Sequence, residues 1–259
     1  MSERIVAAHL HDVRAQRDVS LMACPHILMP SLPISGRTKN NMWLPPVATT
    51  ASRIPPARSR GFCRGFVVSQ EANRALVYES ALERDFLCIL LADRRVIEIR
   101  DQPQAISFMR DGEWHQHTLD FLVTLSNGHR VGFAVKPKAR VGKSGIEETL
   151  ALLSEQAPHV ADRFVLRTEL HITRDRATNA RLILRSRRAR NEADVDHLRQ
   201  LVASLNGSTS IRELVSTSKL DACGWNAVIC LIDEGLLVPT RTDRIDEQTL
   251  VRSATSRSN

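Results

Sequence analysis

Thr118-Leu119-Asp120-Phe121-Leu122-Val123-Thr124-Leu125, then Ser126-Asn127-Gly128, then His129-Arg130-Val131-Gly132-Phe133-Ala134-Val135-Lys136, is the stretch that decides the fold. Two runs rich in β-branched and aromatic residues flank an Asn-Gly pair, which supplies the positive φ angles of a tight turn. An antiparallel hairpin is therefore expected over 118–125 and 129–135. Side chains alternate across a strand, so counting back from Lys136 puts Ala134 on the same face and Val135 on the other. The hairpin also returns Lys136 to Asp120, so that an acid and a base meet at its open end.

Outward from the hairpin, helical and extended patterns alternate. Residues 76–91 have the apolar spacing of an amphipathic helix, and Glu79 and Glu83 would lie one turn apart on one face of it. Residues 61–69 read as a strand. Residues 96–99 and 105–109 read as short strands about a Gln102-Pro103 turn, and Asp111-Gly112 as a hairpin turn. Downstream, 146–156 suggests a helix, 163–170 a strand ending at Thr168-Glu169, and 177–188 another helix. The sum is an α+β fold with a mixed sheet flanked by helices. A separate pattern then begins: a helix over 194–205, a stop at Gly207, Ser210 capping 211–215, a helix over 220–234 and a strand over 235–239. That is the order of a winged helix-turn-helix domain. The expected divisions are an extended arm over 1–57, a main domain over 58–190, a winged-helix-like domain over 191–245 and a disordered tail over 246–259.

Composition narrows the setting. With 259 residues and 42% hydrophobic content, the chain can fill one core of ordinary size and a smaller one. A formal charge of +7 and a pI near 9.6 favour a polyanionic partner, nucleic acid before membrane. No run approaches the eighteen or more apolar residues of a membrane span. Residues 1–10 carry Glu3, Arg4 and His9 where a signal peptide needs an apolar stretch, so a cytoplasmic protein is expected. Five cysteines without a CxxC pair read as reduced thiols. Most prolines fall between Cys24 and Pro56, which marks the extended arm.

Protein-catalysed phosphodiester hydrolysis commonly uses carboxylates that fix divalent cations, and a lysine that steadies the attacking hydroxide or the charge at phosphorus. Glu83, Asp120 and Lys136 form such a set. Other motifs carry less. Gly142-Lys143-Ser144 lacks the glycine a phosphate-binding loop needs where Pro137 stands, and His115 and His117 have no cysteine or carboxylate companions. Lys138, Arg140 and Lys143, and the run Arg181, Arg185, Arg187, Arg188 and Arg190, could follow a DNA backbone. In the tail, 220–234 is acidic at Asp221, Asp233 and Glu234, which suits a protein partner better than phosphate.

Glu79-Ser80-Ala81-Leu82-Glu83, Gln102-Pro103, Asp120-Phe121-Leu122-Val123 and Phe133-Ala134-Val135-Lys136-Pro137 resemble TnsA-type transposase endonucleases in order and spacing. Ser59-Arg60-Gly61, Thr168-Glu169 and Asn179-Ala180 fit the same pattern, so the resemblance runs from about Arg58 to Arg190. It implies a restriction-endonuclease-like fold with a PD-(D/E)XK site that cuts the 5′ ends of a mobile element. It further implies a DDE transposase that cuts and joins the 3′ ends, and an AAA+ ATPase regulator. Carried onto this chain, Glu83 and Asp120 would bind Mg²⁺, or Mn²⁺ in its place, and Lys136 would be the catalytic lysine. The family usually has Gln or Glu two residues before that lysine, where this chain has Ala134. The metal would then lean on Glu83, Asp120, water and the Val135 carbonyl, with Glu79 as a substitute ligand. The alternative is a catalytically degenerate subunit that binds DNA ends and scaffolds the transposase. Restoring Gln at 134 should raise cleavage in the first case and change little in the second.

Overall fold

The structure is a computed structural model, and it describes residues 44–52 and 63–254. Most of the expected arm, the start of the 61–69 strand, Ser59-Arg60-Gly61 and the last five residues of the tail lie outside the described residues. The first compact unit, which ends at Leu184, contains β1 (Gly65–Ser69), β2 (Arg74–Tyr78), α1 (Ala81–Ala92) and β3 (Val96–Asp101). The hairpin β4 (Ile106–Arg110) and β5 (Glu113–His117) follows, then β6 (Phe121–Leu125), β7 (Arg130–Val135), α2 (Lys138–Ser144), α3 (Ile146–Gln156), β8 (Arg163–Arg167) and most of α4 (Arg174–Arg188). The architecture is mixed α+β.

The central sheet has the order β3-β6-β7-β8, antiparallel except for the parallel β7–β8 pair. Both of its faces are covered. Phe121, Val123, Phe133 and Val135 pack with Phe86, Leu87 and Ile89 of α1 and with Ala177 and Ala180 of α4. Leu122 and Ala134 turn the other way and pack with Leu119 and with Ile146, Leu150 and Leu153 of α3. Burial on both sides explains why β6 and β7 read as continuous apolar runs without polar alternation. Gly132 is needed for that second layer, because a Cβ there would stand 2.7 Å from Leu119 and 3.0 Å from Phe164.

Several expectations need correction. Leu76–Tyr78 belongs to a strand, because 74–78 pairs residue for residue with β1 and only Ser80 caps the helix that follows. Glu79 therefore stands before the helix and not one turn below Glu83 on its face. The turn after β6 uses a positive φ at Gly128 alone, while the Asn127 side chain accepts the His129 N–H at 3.1 Å. Strand β6 begins at Phe121, not at Thr118, and Gly142-Lys143-Ser144 ends a short helix. The described part of the arm is extended: Val47 bridges Arg74, and its N–H donates to the Asn73 carbonyl at 2.7 Å.

The second unit holds α5 (Glu192–Ala203), β9 (Ser208–Ser210), α6 (Ile211–Ser218), α7 (Asp221–Asp233), β10 (Leu237–Pro239) and β11 (Leu250–Ser253). Its boundary falls at Arg185, inside α4, and not after Arg190. The cause is local: the Ser186 carbonyl accepts from the Asn226 amide, and Arg187 holds Asp233 through two hydrogen bonds of 2.7 and 2.8 Å. The expected tail over 246–259 is also revised. Leu250–Ser253 is the middle strand of the sheet β10-β11-β9, with Val251 fully buried, so without it β9 and β10 would have no common partner.

Candidate functional site

Strand and helix ends converge at the open end of the β6–β7 hairpin. Asp120 immediately precedes β6; its N–H donates to the Phe133 carbonyl at 2.9 Å and its Oδ2 accepts the Val135 N–H at 2.6 Å. The carboxylate is thus fixed across the hairpin mouth. Lys136 continues β7, and its N–H donates to the Arg167 carbonyl of β8 at 2.9 Å. Val135 spends its own N–H on Asp120 and buries its side chain beneath α1.

Glu83 comes from the first turn of α1. Ser80 caps that helix, its hydroxyl accepting the Glu83 N–H at 3.1 Å and donating to Glu83 Oε1 at 2.8 Å, while Glu83 Oε2 accepts the Glu79 N–H at 2.6 Å. This is a capping arrangement of the S-x-x-E kind, readable in the sequence and missed there. It holds Glu83 at the helix N-terminus with 9% of its surface exposed.

The electrostatics tie the three groups together. Burial, and then the neighbouring Glu83 charge, push the Asp120 carboxyl up to about 7, against the lowering effects of the Val135 N–H and Lys136. Burial also raises Glu83, with Glu79 adding to the rise. The Glu83 charge thus reaches Asp120, and Lys136 is the cation that Asp120 feels. Neither acid forms an ion pair among the described residues. His117 stands nearby: burial, and then Lys136, lower its imidazole, and its Nε2 is buried without a hydrogen-bond partner.

One strand away, Asp101 is fully buried at the end of β3. Its Oδ2 accepts from the Thr49 hydroxyl at 2.5 Å and from the Val77 N–H at 2.6 Å, which fastens the arm and β2 to the sheet just before the Glu79–Glu83 turn. Gln102 follows with φ +39, and its N–H donates to the Asp120 carbonyl at 3.0 Å. Asp101 Oδ1 and Gln102 Oε1 are both buried with no hydrogen-bond partner. In sequence Gln102-Pro103 is legible as a turn and as part of the ordered motif set, but the buried unpaired oxygens are not.

The remaining positions divide. Ala134 has 2% exposure and sits inside the apolar layer over α3, so a longer polar side chain there would enter a hydrocarbon environment. Lys138, Arg140 and Lys143 are exposed on α2, and the Lys138 N–H donates to the Glu169 carboxylate at 2.9 Å. The arginine run is not one surface, because Arg181 pairs with Asp85, Arg187 with Asp233, and Arg190 with Glu192 and Glu234. His115 stacks on Phe108 at 5.8 Å. A groove of about 780 Å³ passes Arg74, Arg100, Pro103 and His159, and one of about 240 Å³ lies beside His129 and Asp162; neither is lined by Glu83, Asp120 or Lys136.

Whether a divalent cation fits can be judged from the donors. In charge the site fits, since two mutually repelling carboxylates gain from a cation between them. In number the acids fall short: among the described residues no group of three or more His, Cys, Asp or Glu side chains is arranged to hold a metal. The unpartnered buried oxygens beside Asp120 are hard donors of the type magnesium takes.

No protein-family model matches the chain, and no curated protein matches it significantly. No helix among the described residues is long and apolar enough to cross a membrane.

Proposed function

We propose that this protein is a metal-dependent DNA endonuclease subunit of a heteromeric transposase, acting at the 5′ ends of a mobile element. The observation that carries the reading is the placement of Asp120, held by the Val135 N–H, and of Lys136 at the mouth of a hairpin in a mixed sheet covered by helices, with the buried Glu83 raising the Asp120 carboxyl. In this reading the first unit is a restriction-endonuclease-like fold. The second unit, in the order helix, strand, two helices, two strands, is a winged helix. The ordered motif set shared with TnsA endonucleases supplies the mobile-element context, the DDE transposase and the AAA+ ATPase.

Glu83 and Asp120 would hold the cation, Mg²⁺ or Mn²⁺, which when bound neutralises the phosphate and acidifies a water. Asp120 is kept in place by the Val135 N–H, and Glu83 by Ser80 and the Glu79 N–H, so both acids are oriented before any ligand arrives. Lys136 presents its ammonium to the charge that develops at phosphorus. Lys138, Arg140 and Lys143 on α2 contact the DNA backbone next to the lysine. The second unit docks on the transposase or ATPase, since the acids of its third helix are poor phosphate ligands.

Ala134 supports a second reading, a catalytically silent subunit that binds DNA ends and scaffolds its partners, because the position usually held by a ligand is given to packing. One experiment separates them. With the partner transposase, the ATPase, element-end DNA and Mg²⁺ or Mn²⁺, the wild type should nick the 5′ ends and Asp120→Ala should lose nicking by at least about 10³-fold, while both bind DNA equally. Absence of nicking by the wild type would favour the scaffold. Robust cleavage of plasmid by the lone chain would overturn the subunit assignment.

A further inference from the structure

We infer that Gln102 supplies the oxygen ligand that Ala134 cannot, so that the cation site of this chain is built from Asp120, Glu83 and the Gln102 side-chain carbonyl. The inference rests on the nuclease reading and deepens it. Asp101 pairs with Phe121 across β3 and β6, which makes Gln102 and Asp120 the next pair outward, joined by the Gln102 N–H to Asp120 carbonyl hydrogen bond of 3.0 Å. That bond ties the Gln102 backbone to the Asp120 backbone at the mouth of the site. Gln102 is 5% exposed and its Oε1 has no hydrogen-bond partner. A buried amide oxygen left unpaired is costly, and sites that keep one do so for a ligand or water.

The backbone adds an independent sign. Gln102 holds φ +39, a left-handed conformation that a residue with a Cβ adopts at a cost and that concentrates at functional sites. Neighbouring contacts hold it there: the Ser52 N–H donates to the Gln102 carbonyl at 2.9 Å, and the Ser52 hydroxyl to the Pro103 carbonyl at 3.2 Å. The arm thus clamps the strained turn from outside. An amide carbonyl also suits the site chemically, since it adds a hard oxygen without adding a third negative charge to acids that already repel.

The test is Mn²⁺ binding to the full chain without DNA, followed by electron paramagnetic resonance of free Mn²⁺ or by calorimetry. Four proteins are compared: wild type, Asp120→Asn, Gln102→Gly and Gln102→Glu. Glycine removes the side chain and relieves the left-handed backbone, so Gln102→Gly should fold, and far-ultraviolet dichroism checks that it does. Asp120→Asn should abolish binding, Gln102→Gly should weaken it at least about tenfold, and Gln102→Glu should preserve or tighten it. Gln102→Glu keeps the side-chain length, so it reports even where the glycine variant does not fold: loss of binding in a folded Gln102→Glu protein counts against a ligand at this position. Wild-type binding that Asp120→Asn removes and Gln102→Gly leaves unchanged overturns the Gln102 assignment and leaves the nuclease reading standing. No binding by the wild type, or binding indifferent to Asp120→Asn, overturns both.

Discussion

The same four-residue motif begins a helix in each unit and ends in opposite electrostatic states. Ser210 caps α6, its hydroxyl accepting the Glu213 N–H, while Glu213 reaches back to the Ser210 N–H at 3.1 Å. Those hydrogen bonds hold the exposed Glu213 below the ordinary carboxylate range. Ser80 and Glu83 repeat the exchange on α1, yet Glu83 is raised, because burial outweighs the same kinds of hydrogen bond and Glu79 adds like charge. The cap at Ser210 starts a helix and nothing more. The cap at Ser80 also keeps a carboxylate where burial and Glu79 disfavour its charge, a setting that the proposed cation would relieve.

The largest effect that would break this contrast lies at Asp120. Its folded pKa, about 7, stands above the ordinary 3.8, so the folded state binds the extra proton between those values. Stability is then greatest on the acid side of 3.8 and falls as pH rises through 7, at about 1.4 kcal/mol per unit and of the order of 4 kcal/mol in all. Asp120→Asn, a permanent mimic of the protonated acid, should flatten that slope in urea unfolding between pH 4 and pH 8 without metal. An unchanged slope would mean that Asp120 is not the strained group.

How much of this was legible in sequence depends on which forces acted locally. Asp120-to-Lys136 could be read as a hairpin because an Asn-Gly pair between apolar runs is a local signal, and the pairing Phe121 with Phe133 follows from it. Ser210 was read as a cap for the same reason. Leu76–Tyr78 was misread because an amphipathic helical period and a buried strand look alike over five residues, and only pairing with β1 decides between them. Leu250–Ser253 was given to a disordered tail because its signal is short and its partners, β9 and β10, lie earlier in the chain. The candidate acids were visible by order alone. What Gln102 and Asp101 contribute was not, since a buried oxygen without a partner is a property of the packed structure and leaves no trace in composition or spacing.

Ala134 gives a smaller effect that sharpens the contrast from the other side of the sheet. Sequence alone expects Ala134→Gln to restore a ligand and raise cleavage. The structure adds a cost, because the new amide would lie among Leu119, Leu122 and Leu150 with its hydrogen bonds unmade. A loss of about 1–3 kcal/mol in unfolding free energy is expected. A variant as stable as the wild type would show that the side chain escapes toward Lys136, and its Mn²⁺ affinity should then rise.

The smallest effect tests the two caps directly. Ser80→Ala and Ser210→Ala should each cost about 1 kcal/mol at pH 7, the ordinary worth of a helix N-cap serine. Both hydroxyls favour the ionised form of the glutamate they touch, so both costs should shrink as pH falls and the glutamate takes up a proton. The windows differ. Glu213 is held below 4.5 and Glu83 above it, so the Ser80→Ala cost should begin to fade on the neutral side of pH 4.5 and the Ser210→Ala cost only on the acid side. Coincident fading in chemical unfolding at a series of pH values would mean that Glu83 is an ordinary cap, and the electrostatic case for a cation beside it would go with that result.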